Sequence, residues 1–353
     1  MRVVAAMSGG VDSSVVAGLL VEQGHDVIGV HMKLHDAPAH PSVGDGKHCC
    51  GLDDAMDARR VADRLGIPFY VMDLRQAFQK AVMDEFVATY RAGATPNPCI
   101  RCNGVLKFKV LLQRARALGA SHLATGHYAR IEGGGLREAA DPDKDQTYFL
   151  FPVTPAALAQ TLFPLGGLTK TEVRAHADRL GLITANKPES QEVCFIPDDD
   201  HARFVAEASP GVEGGGDIVH QDGRVLGRHD GYWRFTIGQR RGLGVSVGAP
   251  VYVLGIDPLT RRVTVGPPEL LLHQAVRATG LNWYRRPAPG EVVQARIRHR
   301  GGMVPATVEL DEGDGTAWVR FRAPARAAAR GQAVVLYEQG RVLGGGWISE
   351  VTA

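Results

Sequence analysis

Along the first third of the chain, short apolar runs alternate with longer stretches of helical spacing. Arg2–Ala6 is a brief β-branched run, and Ser14–Glu22 reads as a helix. Val27–Met32 repeats the strand pattern. Leu52, Ala55, Met56, Ala62 and Leu65 then recur at helical spacing over Leu52–Leu65, and Gly66-Ile67-Pro68 ends that helix. Phe69–Met72 predicts a third strand and Gln76–Tyr90 a long helix. Phe108, Leu111, Leu112, Ala115 and Leu118 predict another helix, closed by Gly119, before a strand at His122–Thr125. Strands separated by helices predict an α/β domain, a parallel sheet covered on its faces.

Farther along, Thr169-Lys170-Thr171-Glu172 predicts a capping box at the start of a helix that runs to Leu180, with Gly181 just beyond. Near Gly214-Gly215-Gly216 the style changes. Glycine-rich turns now separate short runs such as Val251–Leu254, Arg262–Val265 and Val292–Ile297, which predicts compact β domains. The expected division is 1–208, 209–273 and 274–353.

With 353 residues the chain has room for two or three cores. Its 44% hydrophobic and 22% charged residues fit a globular protein. No apolar stretch is long enough for a membrane helix, and the run at Met1–Met7 is too short for a signal-peptide core, so a cytoplasmic location is expected. A net charge of only +2 means that any surface for nucleic acid is local. Three clusters stand out: Arg234, Arg240 and Arg241; Arg296, Arg298, His299 and Arg300; and Arg322, Arg326 and Arg330.

The first chemical motif is Ser8-Gly9-Gly10-Val11-Asp12-Ser13, set between a strand and a helix. Its glycines let backbone N–H groups close on an anion, and the helix adds its positive end. Ser8 and Ser13 offer hydroxyl donors, and Asp12 a hard carboxylate suited to Mg2+. A Gly-Lys-Ser/Thr ending is missing, which excludes the P-loop of kinases and GTPases. The motif resembles the PP-loop of the ATP pyrophosphatase superfamily, whose members include NAD synthetase, asparagine synthetase and tRNA thiolases. The loop alone selects none of them.

Cysteines at 49, 50, 99, 102 and 194 form an odd, sparse set, which argues for metal, redox or catalytic use over a disulfide scaffold. In Thr95–Asn103 the prolines favour an extended segment. Cys102 falls near the following helix, where the dipole, Arg101 and Lys107 favour thiolate. Cys194 lies in an apolar, strand-like piece, Ser190–Ile196. Two separated thiols fit a sulfur relay, in which one carries a persulfide and the other attacks it. Burial as small hydrophobes is the plain alternative. Cys99, Cys102 and Cys194 could also hold a [4Fe–4S] cluster, or zinc with His48, Cys49 or Cys50 completing the set.

Several motifs agree with one family. Met7–Ser14, Thr95–Asn103, Ala124–Tyr128, Lys144–Leu150, Lys170–Arg174, Ser190–Ile196, Phe235–Gly244 and Leu343–Gly346 together resemble the bacterial tRNA-specific 2-thiouridylases, in order over nearly the whole chain. That resemblance implies a PP-loop domain of the adenine nucleotide alpha hydrolase type, a small central domain and a C-terminal β-barrel. It implies ATP-dependent 2-thiolation of the wobble uridine of tRNA, by adenylation of the C2 oxygen and attack of sulfur. By resemblance ATP would be held by Ala6, Met7, Ser8, Gly9, Gly10, Val11, Asp12, Ser13, Met32 and Gly126. Cys194 would carry the persulfide supplied by a sulfurtransferase, and Cys102 would be the attacking thiol and disulfide partner. Asn97 and Pro98 would lie against the target base, and Cys99, His127, Lys144, Asp145, Gln146, Arg298, His299 and Gln332 would meet the tRNA. Many members of that family carry aspartate where this chain has Cys99. A thiol titrates several units higher than a carboxyl group, so Cys99 cannot simply take over an acid/base role. Another PP-loop enzyme, such as a 4-thiouridine synthetase, and a non-catalytic ATP-dependent RNA-binding protein are the competing expectations.

Overall fold

The computed structural model describes residues 1–36, 52–188, 193–196, 198–311 and 313–352. His48, Cys49, Cys50 and Ser190–Glu192, named above, lie outside the described residues. Two compact units share the chain. One comprises Met1–Val82, Cys99–Asp199 and Gln339–Val342, the other Met83–Pro98, Asp200–Glu338 and Leu343–Ala353.

The first unit opens with β1 (Arg2–Ala6), α1 (Val11–Glu22), β2 (Asp26–Lys33), α2 (Leu52–Leu65) and β3 (Phe69–Asp73). The helix expected over Gln76–Tyr90 is composite: α3 (Arg75–Phe78), a π-helical segment (Gln79–Met83), then α4 (Asp84–Arg91) of the second unit. A second composite helix has α5 (Pro98–Arg101), a π-helical segment (Cys102–Leu111) and α6 (Leu112–Ala117). β4 (His122–Ala124) follows, then a hairpin of β5 (Arg130–Glu132) and β6 (Gly135–Arg137), α7 (Thr147–Leu150), α8 (Pro155–Leu158), β7 (Thr161–Leu162) and α9 (Lys170–Arg179). The sheet runs β3-β2-β1-β4-β7 with every pairing parallel. β1 is central and almost wholly buried, which its β-branched residues suit. α1 is apolar or small on nearly every side, and Val11, Val15, Val16, Ala17 and Leu20 join the core with Val3, Ala5, Ala58, Val61 and Ala62. Gly18 lets Leu180 approach, since an added Cβ would stand 2.6 Å from its Cδ1.

Three sequence expectations are corrected here. α1 begins at Val11, three residues before Ser14, because Gly10 takes the cap position in extended geometry. Thr95–Asn103 is not extended throughout: Pro98 opens a helix, since its fixed φ and missing N–H suit a first helical position. Cys194 and Phe195 occupy a turn, not a strand. Phe195 is buried, with an edge-on contact to Phe78 (ring centroids 5.6 Å apart).

In the second unit α10 (His201–Glu207) precedes β8 (Gly216–His220), β9 (Val225–His229), β10 (Tyr252–Asp257) and β11 (Arg262–Gly266), which form a four-stranded sheet ordered β10-β11-β8-β9. Six further strands follow: β12 (Leu272–Trp283), β13 (Val293–Arg296), β14 (Val304–Asp311), β15 (Thr316–Arg326), β16 (Ala333–Glu338) and β17 (Arg341–Thr352). Their order is β12-β15-β14-β13-β16-β17, and β17 pairs back onto β12, closing a barrel. Alternating inward residues, among them Val276, Ala278, Val293, Ala295, Val308, Val319, Leu336 and Ile348, fill it. The fold is thus a parallel-sheet domain, a small β domain and a C-terminal barrel. Among the described residues no helix is long and apolar enough to cross a membrane.

Candidate active site

β2 and β4 flank β1 on opposite sides, so the order of the sheet reverses at the carboxyl ends of β1 and β4. Crevices of this kind are where open α/β sheets take ligands. The Ser8–Ser13 loop lies there. Gly9 has φ +81°, and a Cβ on it would stand 2.3 Å from the Asp54 carbonyl oxygen. Only glycine therefore lets the loop lie on α2. The Ser13 hydroxyl accepts from the Ser8 amide (3.1 Å) and donates to the Gly10 carbonyl (3.1 Å), while Ser14 Oγ donates to the same carbonyl (2.8 Å). Gly10 caps α1 without a side-chain hydrogen bond, which leaves the helix's positive end facing the crevice. Gly126, just after β4, passes close to the loop; a Cβ there would stand 3.2 Å from both Asp12 Cβ and the Ser13 nitrogen. Ala6 and Met7 complete the end of β1, and Met32 lies near the end of β2.

Asp12 accepts from two groups that sequence reading missed. Tyr128 Oη donates to Asp12 Oδ1 at 2.8 Å, and Lys170 Nζ stands 2.7 Å from the same oxygen and 5.8 Å over the Tyr128 ring. Lys170 is the first residue of α9, whose start is fixed by the expected capping box. Thr169 Oγ1 accepts from the Glu172 amide (3.3 Å), and Glu172 Oε2 accepts from the Thr169 amide (2.7 Å). The motif was legible as a cap, but its lysine is 158 positions from Asp12 and nothing local ties them. A second missed cation is Lys187, 2.7 Å from both Asp54 and Asp57 on α2, beside Gly9.

Cys102 is buried and Cys99, one helical turn earlier, is exposed. The expected thiolate bias at Cys102 is corrected by burial, which pushes this thiol up; Lys107 opposes that push, and Cys99 adds slightly to it. No disulfide joins Cys99, Cys102 and Cys194 to one another. Among the described residues no group of three or more His, Cys, Asp or Glu side chains could hold a metal ion. Cys99, Cys102 and Cys194, which are among the described residues, are therefore not gathered to hold a cluster. Asp12, at the first turn of α1, does fit an Mg2+ accompanying nucleotide phosphates, where the ion would neutralise charge on pyrophosphate.

His127 is buried between the rings of Phe108 and Phe163. Its Nδ1 lies 2.7 Å from Thr125 Oγ1 and its Nε2 3.3 Å from Lys107 Nζ. Burial, with Lys107 adding to it, holds its pKa well below the usual value, so the ring is neutral. Gln146 is tied to Tyr128, accepting from its amide at 2.9 Å. Asp145 is buried and accepts from the Ala139 amide (3.1 Å) and Thr147 Oγ1 (2.8 Å). Lys144 is half-buried beside it. In the second unit Gln332 Nε2 donates to the carbonyls of Thr95 (3.1 Å) and Pro96 (3.0 Å), and the Thr95 amide donates to Arg330 (2.8 Å). These bonds hold the chain leading into Asn97 and Pro98. Arg298 is exposed and His299 half-buried in the turn after β13.

Three family models match the chain in succession: the tRNA methyl transferase HUP domain over residues 1–198, the tRNA methyl transferase PRC-barrel domain over 203–267, and the aminomethyltransferase beta-barrel domain over 273–348. Full-length relatives narrow this. The tRNA-specific 2-thiouridylase MnmA of Geobacter metallireducens is 51% identical, the match covering 98% of this chain and 96% of the relative. The chain belongs to the tRNA-specific 2-thiouridylase family. Members from Geotalea uraniireducens (50% identical, 98% of this chain and 94% of the relative) and Magnetococcus marinus (49%, 98% of both) match equally evenly. Because the 2-thiouridylase match runs through all three domains, it takes in both the phosphate loop and the turn that bears Cys194. Methyl transferase is the wording of two domain descriptions; the full-length relatives are named for thiolation.

Proposed function

We propose that this protein replaces the C2 oxygen of the wobble uridine of tRNA with sulfur, consuming ATP. The observation that carries this reading is the Ser8–Ser13 loop at the sheet's reversal point, in a chain of the 2-thiouridylase family. The C2 oxygen of uridine is a poor leaving group. Transfer of AMP to it makes a good one and releases pyrophosphate. Loop amides, the Ser8 and Ser13 hydroxyls and the end of α1 meet the growing phosphate charge, with Lys170 adding a cation once Asp12 turns to Mg2+. Ala6, Met7, Val11, Met32 and Gly126 shape the nucleotide's bed.

Sulfur arrives on Cys194 as a persulfide from a donor sulfurtransferase. Cys102 attacks it, and the released sulfur displaces AMP from C2. The base must leave the anticodon stack to be reached. Asn97 and Pro98, held by Gln332, meet it together with Cys99. Arg298 and His299 engage the backbone, Lys144 the neighbouring nucleotides. Buried Asp145 and His127 act by holding the walls around Gln146 and Lys107.

Purified protein incubated with unmodified tRNA, ATP and a persulfide donor is expected to yield 2-thiouridine by nucleoside mass spectrometry. Sulfur only at another position would favour a 4-thiouridine synthetase, and pyrophosphate release without any tRNA dependence would remove the reading. Full thiolation by Cys194→Ala would end the relay.

A further inference from the structure

Between Cys102 and Lys107 the helix is π-helical. In an α-helix residues five apart are about 140° apart around the axis and face different ways. The wider turn of a π-helix, with its i→i+5 bonding, brings such residues nearer to one side, and the Lys107 charge acts on the Cys102 thiol. Lys107 is also held from the other side. Its Nζ lies 3.3 Å from Nε2 of buried His127, whose Nδ1 lies 2.7 Å from Thr125 Oγ1. Since a lysine ammonium only donates, Nε2 is the acceptor and Nδ1–H donates to Thr125, the neutral tautomer that burial also enforces. Phe108 and Phe163 fix that ring. A chain Thr125–His127–Lys107 thus holds one cation on the helical segment that bears the buried thiol.

Among the described residues the same composite helix also carries Arg101, Lys109, Arg114 and Arg116. Cys99 lies on the same helix and opposes ionisation. α7 and α8, packed on the π-helical segment, carry no charged residue, only the buried Tyr148. On α3 the one charged residue, Arg75, is paired with Asp73 and Asp36.

We propose that Lys107 is the positioning residue that lets Cys102 react as a thiolate, with His127 holding the ammonium in place. This rests on the reading of Cys102 as the attacking thiol. Cys102 gives its proton to water. The thiolate attacks Sγ of the Cys194 persulfide, the persulfide S–S bond breaks, and hydrosulfide departs with the bonding pair as the Cys102–Cys194 disulfide forms. Hydrosulfide then displaces AMP from C2. The Cys102 sulfur is oxidised to the disulfide level as the outer persulfide sulfur is reduced to hydrosulfide, so no outside oxidant is needed, and an external dithiol later reduces the disulfide to restore both thiols.

The test is the pH dependence of iodoacetamide alkylation at Cys102, followed by peptide mass spectrometry with Cys194 as internal control. Removing a neighbouring cation moves a thiol's midpoint upward. Lys107→Met and Lys107→Gln are expected to raise it by about one unit or more, while Lys107→Arg stays near wild type. Thiolation at neutral pH should fall roughly tenfold in both neutral variants and recover at alkaline pH, with tRNA-dependent pyrophosphate release retained as evidence of an intact fold. An unchanged Cys102 midpoint in a neutral variant that still releases pyrophosphate overturns the proposal. The underlying reading fails separately, if Cys102→Ser thiolates at the wild-type rate.

Discussion

Gly9 carries two demands at once, a positive φ and a surface flat enough to lie on the backbone of Asp54. Gly9→Ala meets both penalties, each on the order of 1–3 kcal/mol, and since neither neighbour is a movable side-chain tip the loop must shift. ATP affinity measured by calorimetry is expected to fall more than tenfold. The residue scale also sets a pH signature. The pKa of His127 is depressed in the folded protein, so unfolding takes up a proton below the ordinary histidine range. Stability is therefore full above pH ~6.5 and declines as pH falls below it. His31, also lowered by burial, contributes in the same direction. Urea midpoints of His127→Gln should fall less steeply between about pH 6.5 and 5 than those of wild type; an identical slope would show that the ring is not the source. Little of this residue-level detail was legible beforehand. Gly9, Gly10 and Ser13 announced themselves by local spacing, whereas Lys170, Lys187 and Thr125 gain meaning only from partners far along the chain or around a strand end.

At the scale of elements, regular pieces were legible because their signals are local. The Thr169–Glu172 cap, the Leu52–Leu65 helix and β1–β4 follow from periodicity and turn residues. The π-helical segments were not, since one extra residue per turn leaves no composition signal and depends on what the helix packs against. Nor was the turn at Cys194, whose apolar neighbours mimic a strand but are buried by Phe78. The cap on α9 has a functional side. Thr169→Ala should cost about 1 kcal/mol of stability. It also frays the turn that presents Lys170 to Asp12. The expected outcome is a raised KM for ATP with little change in KM for tRNA, read from pyrophosphate release. Equal changes in both would mean that the cap acts on the whole fold.

At the scale of the molecule, class and domain style followed from the switch between helix-separated strands and glycine-punctuated β runs. Barrel closure was implied by the family resemblance alone and not by the pattern, because pairing β12 with β17 joins positions some seventy residues apart. With a net charge of +2, tRNA affinity must come from local arginines. Arg298→Ala is expected to weaken tRNA binding and reduce the slope of log affinity against log salt by about one, without moving ATP affinity. Gln332→Ala should instead slow thiolation at saturating tRNA, since it frees the backbone of Thr95 and Pro96 rather than removing a charge.

β17 has a consequence for how the protein is made. Its first residues belong to the α/β unit, where Arg341 pairs with Arg137, and the rest supplies the sixth stave of the barrel. Among the described strands β17 therefore leaves the ribosome last, after each strand it pairs with has been made. A chain cut short before residue 341 would leave β12 and β16 as bare edges and β6 paired with β5 alone, ready to stick to its neighbours. Arg341–Thr352 thus covers strand edges that the earlier elements leave open.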